Sequence, residues 1–164
     1  MIDALKAFLN GYRAAGIKET RGTEGLGFYA MLVKDGKVLG EIYDYADGGA
    51  TGMRLESRED EQALIAYSKE KYPEIEIEPE GMFLGALIDY ELSMKKLKTK
   101  AAKCLMVSDE SQVDEHGVAT SYTVYKLEPT TENKAKVLAK YPNTKFLNDE
   151  LAGWESLKLV RRRK

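Results

Sequence analysis

The sequence predicts an α+β fold in which antiparallel β-hairpins pack with helices. Three observations predict it. Asp35-Gly36 is a strong hairpin turn dipeptide between two strand-like runs. Phe83, Leu87, Tyr90, Met94 and Leu97 recur at helical spacing. Lys-Tyr-Pro occurs twice, at 71–73 and 140–142, each time between two helical patterns. With 164 residues and 43% hydrophobic content, the chain fits one domain or two small lobes sharing a core. We read residues 1–164 as a single α+β domain.

In chain order, a first helix is expected over 3–15. Asp3 can cap it, Leu5, Phe8, Leu9 and Tyr12 share a face, and Gly16 can end it. Residues 22–27 carry three glycines and form a flexible lead-in. Strands follow at 28–34 and 37–45, and Met53 with Leu55 marks a short third strand after Gly48-Gly49 and Gly52. Ser57 with Asp60 resembles a capping box, so a helix starts there, with Ala63, Leu64 and Tyr67 on its core face. Residues 74–80 alternate Glu and Ile, which predicts a short extended segment with Ile75 and Ile77 inward. Pro79 confines it to an edge or loop. A long helix is expected over 82–100, then strands at 103–108 and 120–127 joined by a long, acidic, mobile loop. The pattern ends with a helix at 131–140, an extended Thr144–Leu147 and a last helix at 149–158.

The two Lys-Tyr-Pro corners raise an internal repeat, 26–81 and 103–150, of two similar hairpin–helix units. In each, Pro stops a helix, Tyr packs across its end and Lys complements its dipole. The other reading is that Lys-Tyr-Pro simply ends both helices.

Composition narrows the chemistry. Charged residues are 32% of the chain and of mixed sign, which argues against global disorder. The apolar stretches are too short for a membrane span, and the N-terminus lacks a signal-peptide layout, so a cytosol-like compartment is expected. The single cysteine, Cys104, precludes an internal disulfide, and the single histidine, His116, precludes a His-based metal cage. A Cys104–His116 nucleophile pair is formally open. Cys104 reads instead as a small hydrophobe at a strand start, and His116 as part of a solvated turn. No nucleotide-binding glycine motif and no nucleophile elbow occurs, and no cofactor is implied. The net charge of −2 hides an asymmetry, −6 over 1–82 and +4 over 83–164.

Four features can carry function. The acidic exit of the hairpin holds Glu41, Asp44 and Asp47 before Gly48-Gly49. Asp44 and Asp47 are candidate metal ligands, although alternation puts Glu41 and Asp44 on opposite strand faces. Lys95, Lys96, Lys98, Lys100 and Lys103 form a basic strip suited to phosphates, without the arginines that read bases. The tail adds Arg161, Arg162 and Arg163. Ten tyrosines against four phenylalanines is a high ratio, and Tyr29, Tyr43 and Tyr45 fall on predicted strands as a candidate docking face.

The layout Lys37-x-x-Gly40-x-x-x-Asp44-x-x-Asp47-Gly-Gly, then a lysine-rich helix running into a strand, then Lys-Tyr-Pro near a final helix, resembles small accessory proteins of bacteriophages and mobile elements. The resemblance spans residues 28–148 and carries no catalytic motif. It implies a small soluble protein in the cytoplasm of a bacterial host, one that antagonises a host defence system. The leading expectation is a non-enzymatic binding protein that docks on a host protein or nucleoprotein. The alternatives are a nonspecific nucleic-acid binder using the lysine strip and tail, and a metal-dependent hydrolase or small-ligand binder at Asp44 and Asp47.

Overall fold

The structure, a computed structural model, describes residues 1–157. Its elements run α1 (Ile2–Leu9), β1 (Tyr12–Gly22), β2 (Gly25–Lys34), β3 (Lys37–Asp44), β4 (Gly52–Leu55), α2 (Arg58–Lys71), α3 (Pro79–Ala101), β5 (Leu105–Ser108), β6 (Tyr122–Tyr125), α4 (Thr131–Lys140) and α5 (Leu147–Leu151). Strands β1 to β4 form an antiparallel sheet in sequence order, and β5 pairs antiparallel with β6. The expected α+β class is what the chain adopts.

The chain divides into two compact units. One comprises Met1–Asn10 and Leu92–Ser156, the other Gly11–Glu91. The segment 103–150 lies in the first and 26–81 in the second.

In the Gly11–Glu91 unit, the alternation of β2 and β3 buries Ala30, Leu32 and Ile42. Leu64 of α2 and Phe83, Leu84 and Leu87 of α3 are also fully buried. Tyr12, Tyr67 and Phe83 meet as an aromatic trio with centroids 5.4–5.9 Å apart. Burial pushes the Tyr67 phenol up to about 12, reinforced by the negative Glu70 and by Tyr12. Ser57 caps α2 by accepting from the Asp60 amide at 3.3 Å, as the sequence pattern requires.

The other unit buries Leu5, Phe8 and Leu9 of α1, together with Met94, Leu105, Met106, Leu147, Leu151 and Trp154. Leu105, Val137 and Phe146 form one cluster, flanked by Val107 and Tyr125. The Asn148 side chain ties this unit's backbone together. Its Oδ1 accepts from the Met106 amide, and its Nδ2 donates to the carbonyls of Ala101 and Cys104, all at 2.8 Å.

Several local expectations are corrected. The first helix stops at Leu9 rather than reaching residue 15. Asn10 turns left-handed (φ 47) and its amide closes on the Lys6 carbonyl, with Gly11 also at positive φ. The φ of 81 at Gly11 lies in the left-handed region that glycine adopts without strain, and a Cβ there would meet the tip of the Asp35 side chain. Ala14 and Ala15, good helix formers, are buried in β1 opposite Leu32 and Met31. Sheet pairing overrides their propensity. The glycines of 22–27 are not a loose lead-in: Gly22 and Gly25 pair across the two-residue β1–β2 turn, and Gly27 lies in β2 opposite Thr20.

Residues 74–78 form no strand, and Ile77 is 81% exposed rather than inward. Among the described residues no strand pairs with the segment, so its alternation has no sheet to bury against. Helix α3 begins instead at Pro79, whose fixed φ and missing N–H suit a first helical turn. Ala63 is exposed, and Ser68 takes the buried position in α2, its hydroxyl donating to the Leu64 carbonyl at 2.8 Å. The last helix is the five-residue Leu147–Leu151, so it starts earlier than the expected 149 and residues 152–157 are not helical; residue 158 lies outside the described residues.

Candidate docking surface

Register places the tyrosines. Tyr29 pairs with Tyr43 and Tyr43 with Gly52 in one cross-strand row. The next row joins Met31, Glu41 and Arg54. Because Ala30, Leu32 and Ile42 point to the buried side, both rows share the opposite face. The Tyr29 hydroxyl donates to Glu41 Oε1 at 2.5 Å. That bond to a carboxylate raises the Tyr29 pKa, since losing the proton would face two acceptors at each other. The Tyr43 and Tyr45 rings lie 5.1 Å apart at a 32° tilt, and the Arg54 guanidinium sits 5.3 Å from the Tyr43 ring centre.

Gly52 makes this packing feasible. A Cβ there would fall 2.4 Å from the Tyr43 ring, so the bare backbone lets the ring lie across the neighbouring strand. Tyr45, 57% exposed, stands at the rim beyond the end of β3. The face thus combines aromatic area, a thioether and a guanidinium, the chemistry that protein interfaces favour, with one carboxylate beside them.

The acidic exit is differently employed. Asp44 Oδ1 accepts from the Ala46 amide at 2.8 Å and Oδ2 from the Thr51 hydroxyl at 2.9 Å. Asp47 Oδ1 accepts from the Gly49 amide at 3.1 Å. Both carboxylates brace the β3–β4 turn, where Ala46 and Gly48 have positive φ. Among the described residues no three His, Cys, Asp or Glu side chains converge as a metal site.

In the other unit, Lys95, Lys96, Lys100 and Lys103 are exposed. None forms an ion pair among the described residues. Lys98 leaves the strip, because its ammonium donates to the Trp154 carbonyl. Arg161, Arg162 and Arg163 lie outside the described residues. His116 is not in a solvated turn. Its ring stacks on Phe8 at 3.7 Å, and its side chain is 13% exposed, 3.4 Å from Glu115. Asp114 accepts from the His116 and Val118 amides at 2.9 Å, which folds the β5–β6 connection into a compact turn. Cys104 is half-buried at the end of α3, its backbone held by Lys100 and Asn148.

Sequence reasoning missed two features. Arg13 and Glu91 form a bidentate pair, with Nε to Oε1 and Nη2 to Oε2, and Oε1 also accepts from the Ala14 amide at 3.2 Å. Glu91 is 8% exposed. A signal existed: Glu91 follows Leu87 by four and Ile88 by three, so it lies on the apolar stripe of α3, where a carboxylate needs a cation. The second is an open cleft of about 320 Å³ lined by Val107, Asp109, Ser111, Asn143, Thr144 and Lys145. Its Asp109 carboxyl is already engaged by the Ser111 hydroxyl and amide, which hold its pKa below the ordinary value. Among the described residues no buried side-chain N or O lacks a hydrogen-bond partner.

Comparison with known proteins finds no matching family model, no matching curated protein and no matching solved structure. No helix among the described residues is long and apolar enough to cross a membrane.

Proposed function

We propose that this chain is a non-enzymatic binding protein that docks on a protein of a bacterial host through the tyrosine face of its four-stranded sheet. It acts in the cytoplasm as a phage-type accessory protein that antagonises host defence. The observation that carries the docking reading is the assembly of Tyr29, Tyr43 and Tyr45 with Met31, Glu41 and Arg54 on one sheet face. Tyrosines held by packing bring large contact area at little further cost in side-chain entropy, and Glu41 and Arg54 add charges that fix register with a partner. The phage and host-defence part rests on the resemblance of the 28–148 layout.

A second reading, a polyanion binder, is favoured by one observation: four exposed lysines near the end of α3 without ion pairs among the described residues. Nothing favours a metal-dependent hydrolase, since Asp44 and Asp47 are committed to the β3–β4 turn.

Affinity capture from nuclease-treated bacterial lysate separates the readings. The full chain is compared with a Tyr43→Thr/Tyr45→Thr variant and a Lys95→Ser/Lys96→Ser/Lys100→Ser/Lys103→Ser variant, each first shown to melt cooperatively. A protein retained by the wild type and the lysine variant, and lost with the tyrosine variant, supports docking through the sheet. Capture indifferent to the tyrosine substitutions, or abolished by nuclease, overturns it.

A further inference from the structure

Strand β1 is an edge of the four-stranded sheet, and its last residues leave the core. Lys18, Glu19, Thr20 and Arg21 are all exposed, on both faces. A bulge between Ala15 and Lys18 interrupts the strand before them. None of the backbone hydrogen bonds formed outside helices and strands involves residues 17–21 among the described residues. Neither Glu19 nor Arg21 forms an ion pair there.

The direction of the open backbone groups follows from the hairpin. Gly22 and Gly25 are paired across a two-residue turn, Thr23-Glu24. A pair that close to a turn exchanges both of its ladder hydrogen bonds with each other. Alternation then turns the N–H and C=O of Thr20 and Lys18 toward β2. Those of Glu19 and Arg21 face the open side.

The geometry points to a second copy of this chain as the partner of that edge. Two β1 strands paired antiparallel about a two-fold axis through Thr20 set Glu19 of each copy opposite Arg21 of the other. Those same residues carry the outward backbone groups, so each Glu19–Arg21 pair exchanges two ladder hydrogen bonds while its opposite charges face each other. Moving the axis by half a residue either way turns the wrong backbone groups together, and moving it a whole residue, to Glu19 or to Arg21, sets that residue opposite its own copy, a like-charge contact. The charge pattern therefore selects both the partner and the register. The two-fold stands perpendicular to the sheet, so the dimer presents both tyrosine faces on one side. The inference does not depend on the proposed function.

The paired segment is short, and a lysine and a bulge blunt its start, which makes the dimer weak and concentration-dependent. Sedimentation equilibrium of the full chain over a rising concentration series reads it directly. The wild type is expected to pass from monomer to dimer. Glu19→Arg and Arg21→Glu each place like charges opposite each other twice, and each is expected to weaken dimerisation about tenfold or more. In a mixture of the two variants, a dimer with one chain of each kind again has opposite charges facing each other at both positions. The mixture is therefore expected to recover wild-type association. Glu19→Pro removes an outward donor without touching the β1–β2 ladder and is expected to abolish the dimer. A wild type that stays monomeric at the highest concentration reached, or a dimer indifferent to both charge reversals, overturns the inference. Unchanged melting temperatures establish that each variant is folded.

Discussion

Tyr72 and Tyr141 end their helices in nearly the same way. Tyr72 caps α2 at φ −127 and ψ 64, and Tyr141 caps α4 at φ −132 and ψ 81. Each cap amide donates to the carbonyl four residues back, Ser68 and Val137. Each cap carbonyl then accepts from the amide three residues on, Ile75 at 3.0 Å and Thr144 at 3.2 Å. The helix starts match too, since Ser57 accepts from the Asp60 amide and Thr130 from the Asn133 amide. Yet Tyr72 is 5% exposed and Tyr141 is 48% exposed. The backbone of the corner is a local event, written by Tyr-Pro and the cap residue. What the tyrosine ring meets is decided by the unit around it.

The surroundings differ in substance. Helix α2 belongs to a unit with a four-stranded sheet and an aromatic trio, whereas α4 belongs to one with a two-stranded sheet and a three-residue cluster. A two-stranded ribbon buries little by itself, so that unit relies on α1, α5 and the Asn148 hydrogen bonds.

Breaking one charged pair in each unit gives the largest contrast. Glu91→Ala removes the carboxylate that holds the Arg13 guanidinium with two bonds and accepts from the Ala14 amide, so it is expected to cost about 3 kcal/mol. Asp149→Ala removes the carboxylate that accepts from Lys134 at 2.6 Å in a largely exposed pair, and is expected to cost less than about 1 kcal/mol. Urea denaturation of both variants decides it; equal losses would mean the Arg13–Glu91 pair is no more embedded than a surface contact.

The corners themselves come next. Tyr72→Ala should lose about 3 kcal/mol, the scale for truncating a buried aromatic, while Tyr141→Ala should lose less than about 1 kcal/mol. The same denaturation curves read both, and a Tyr141 loss matching that of Tyr72 would show that the ring does its work locally rather than by burial.

The smallest effect tests the sameness. Ser57→Ala and Thr130→Ala each delete one side-chain acceptor from a helix start, so each is expected to cost about 1 kcal/mol. Substitution by Gly at either site should cost only a few tenths of a kcal/mol. Losses that differ severalfold between the two Ala variants would show that the caps are not equivalent despite their geometry.

Much of the local structure was legible. Asp35-Gly36, the Ser57 cap, the stripe of α3 and both Lys-Tyr-Pro corners specify themselves through residues close in the chain, as turns and caps do. The tyrosine rows were half legible. Alternation put Tyr43 and Tyr45 on one face, but the Gly52 that Tyr43 covers and the Arg54 that approaches its ring come from a strand whose register no local signal states. Arg13 and Glu91 are 78 residues apart, and their pairing exists only because β1 meets that part of α3. Residues 12–22 and 74–78 failed in opposite directions for one reason: a strand is defined by its partner. Ala14 and Ala15 found one in β2 and became strand; Ile75 and Ile77 found none and did not.

By itself, then, the sequence determined the Asp35-Gly36 turn and the starts and ends of α2 and α4, because caps, prolines and turn glycines act on their own backbone. Only the tertiary structure decided which faces are covered, since a ring, a carboxylate or an alternating strand has no inside or outside until another element packs against it. Tyr72, Tyr141 and the edge of β1 carry that distinction in this chain.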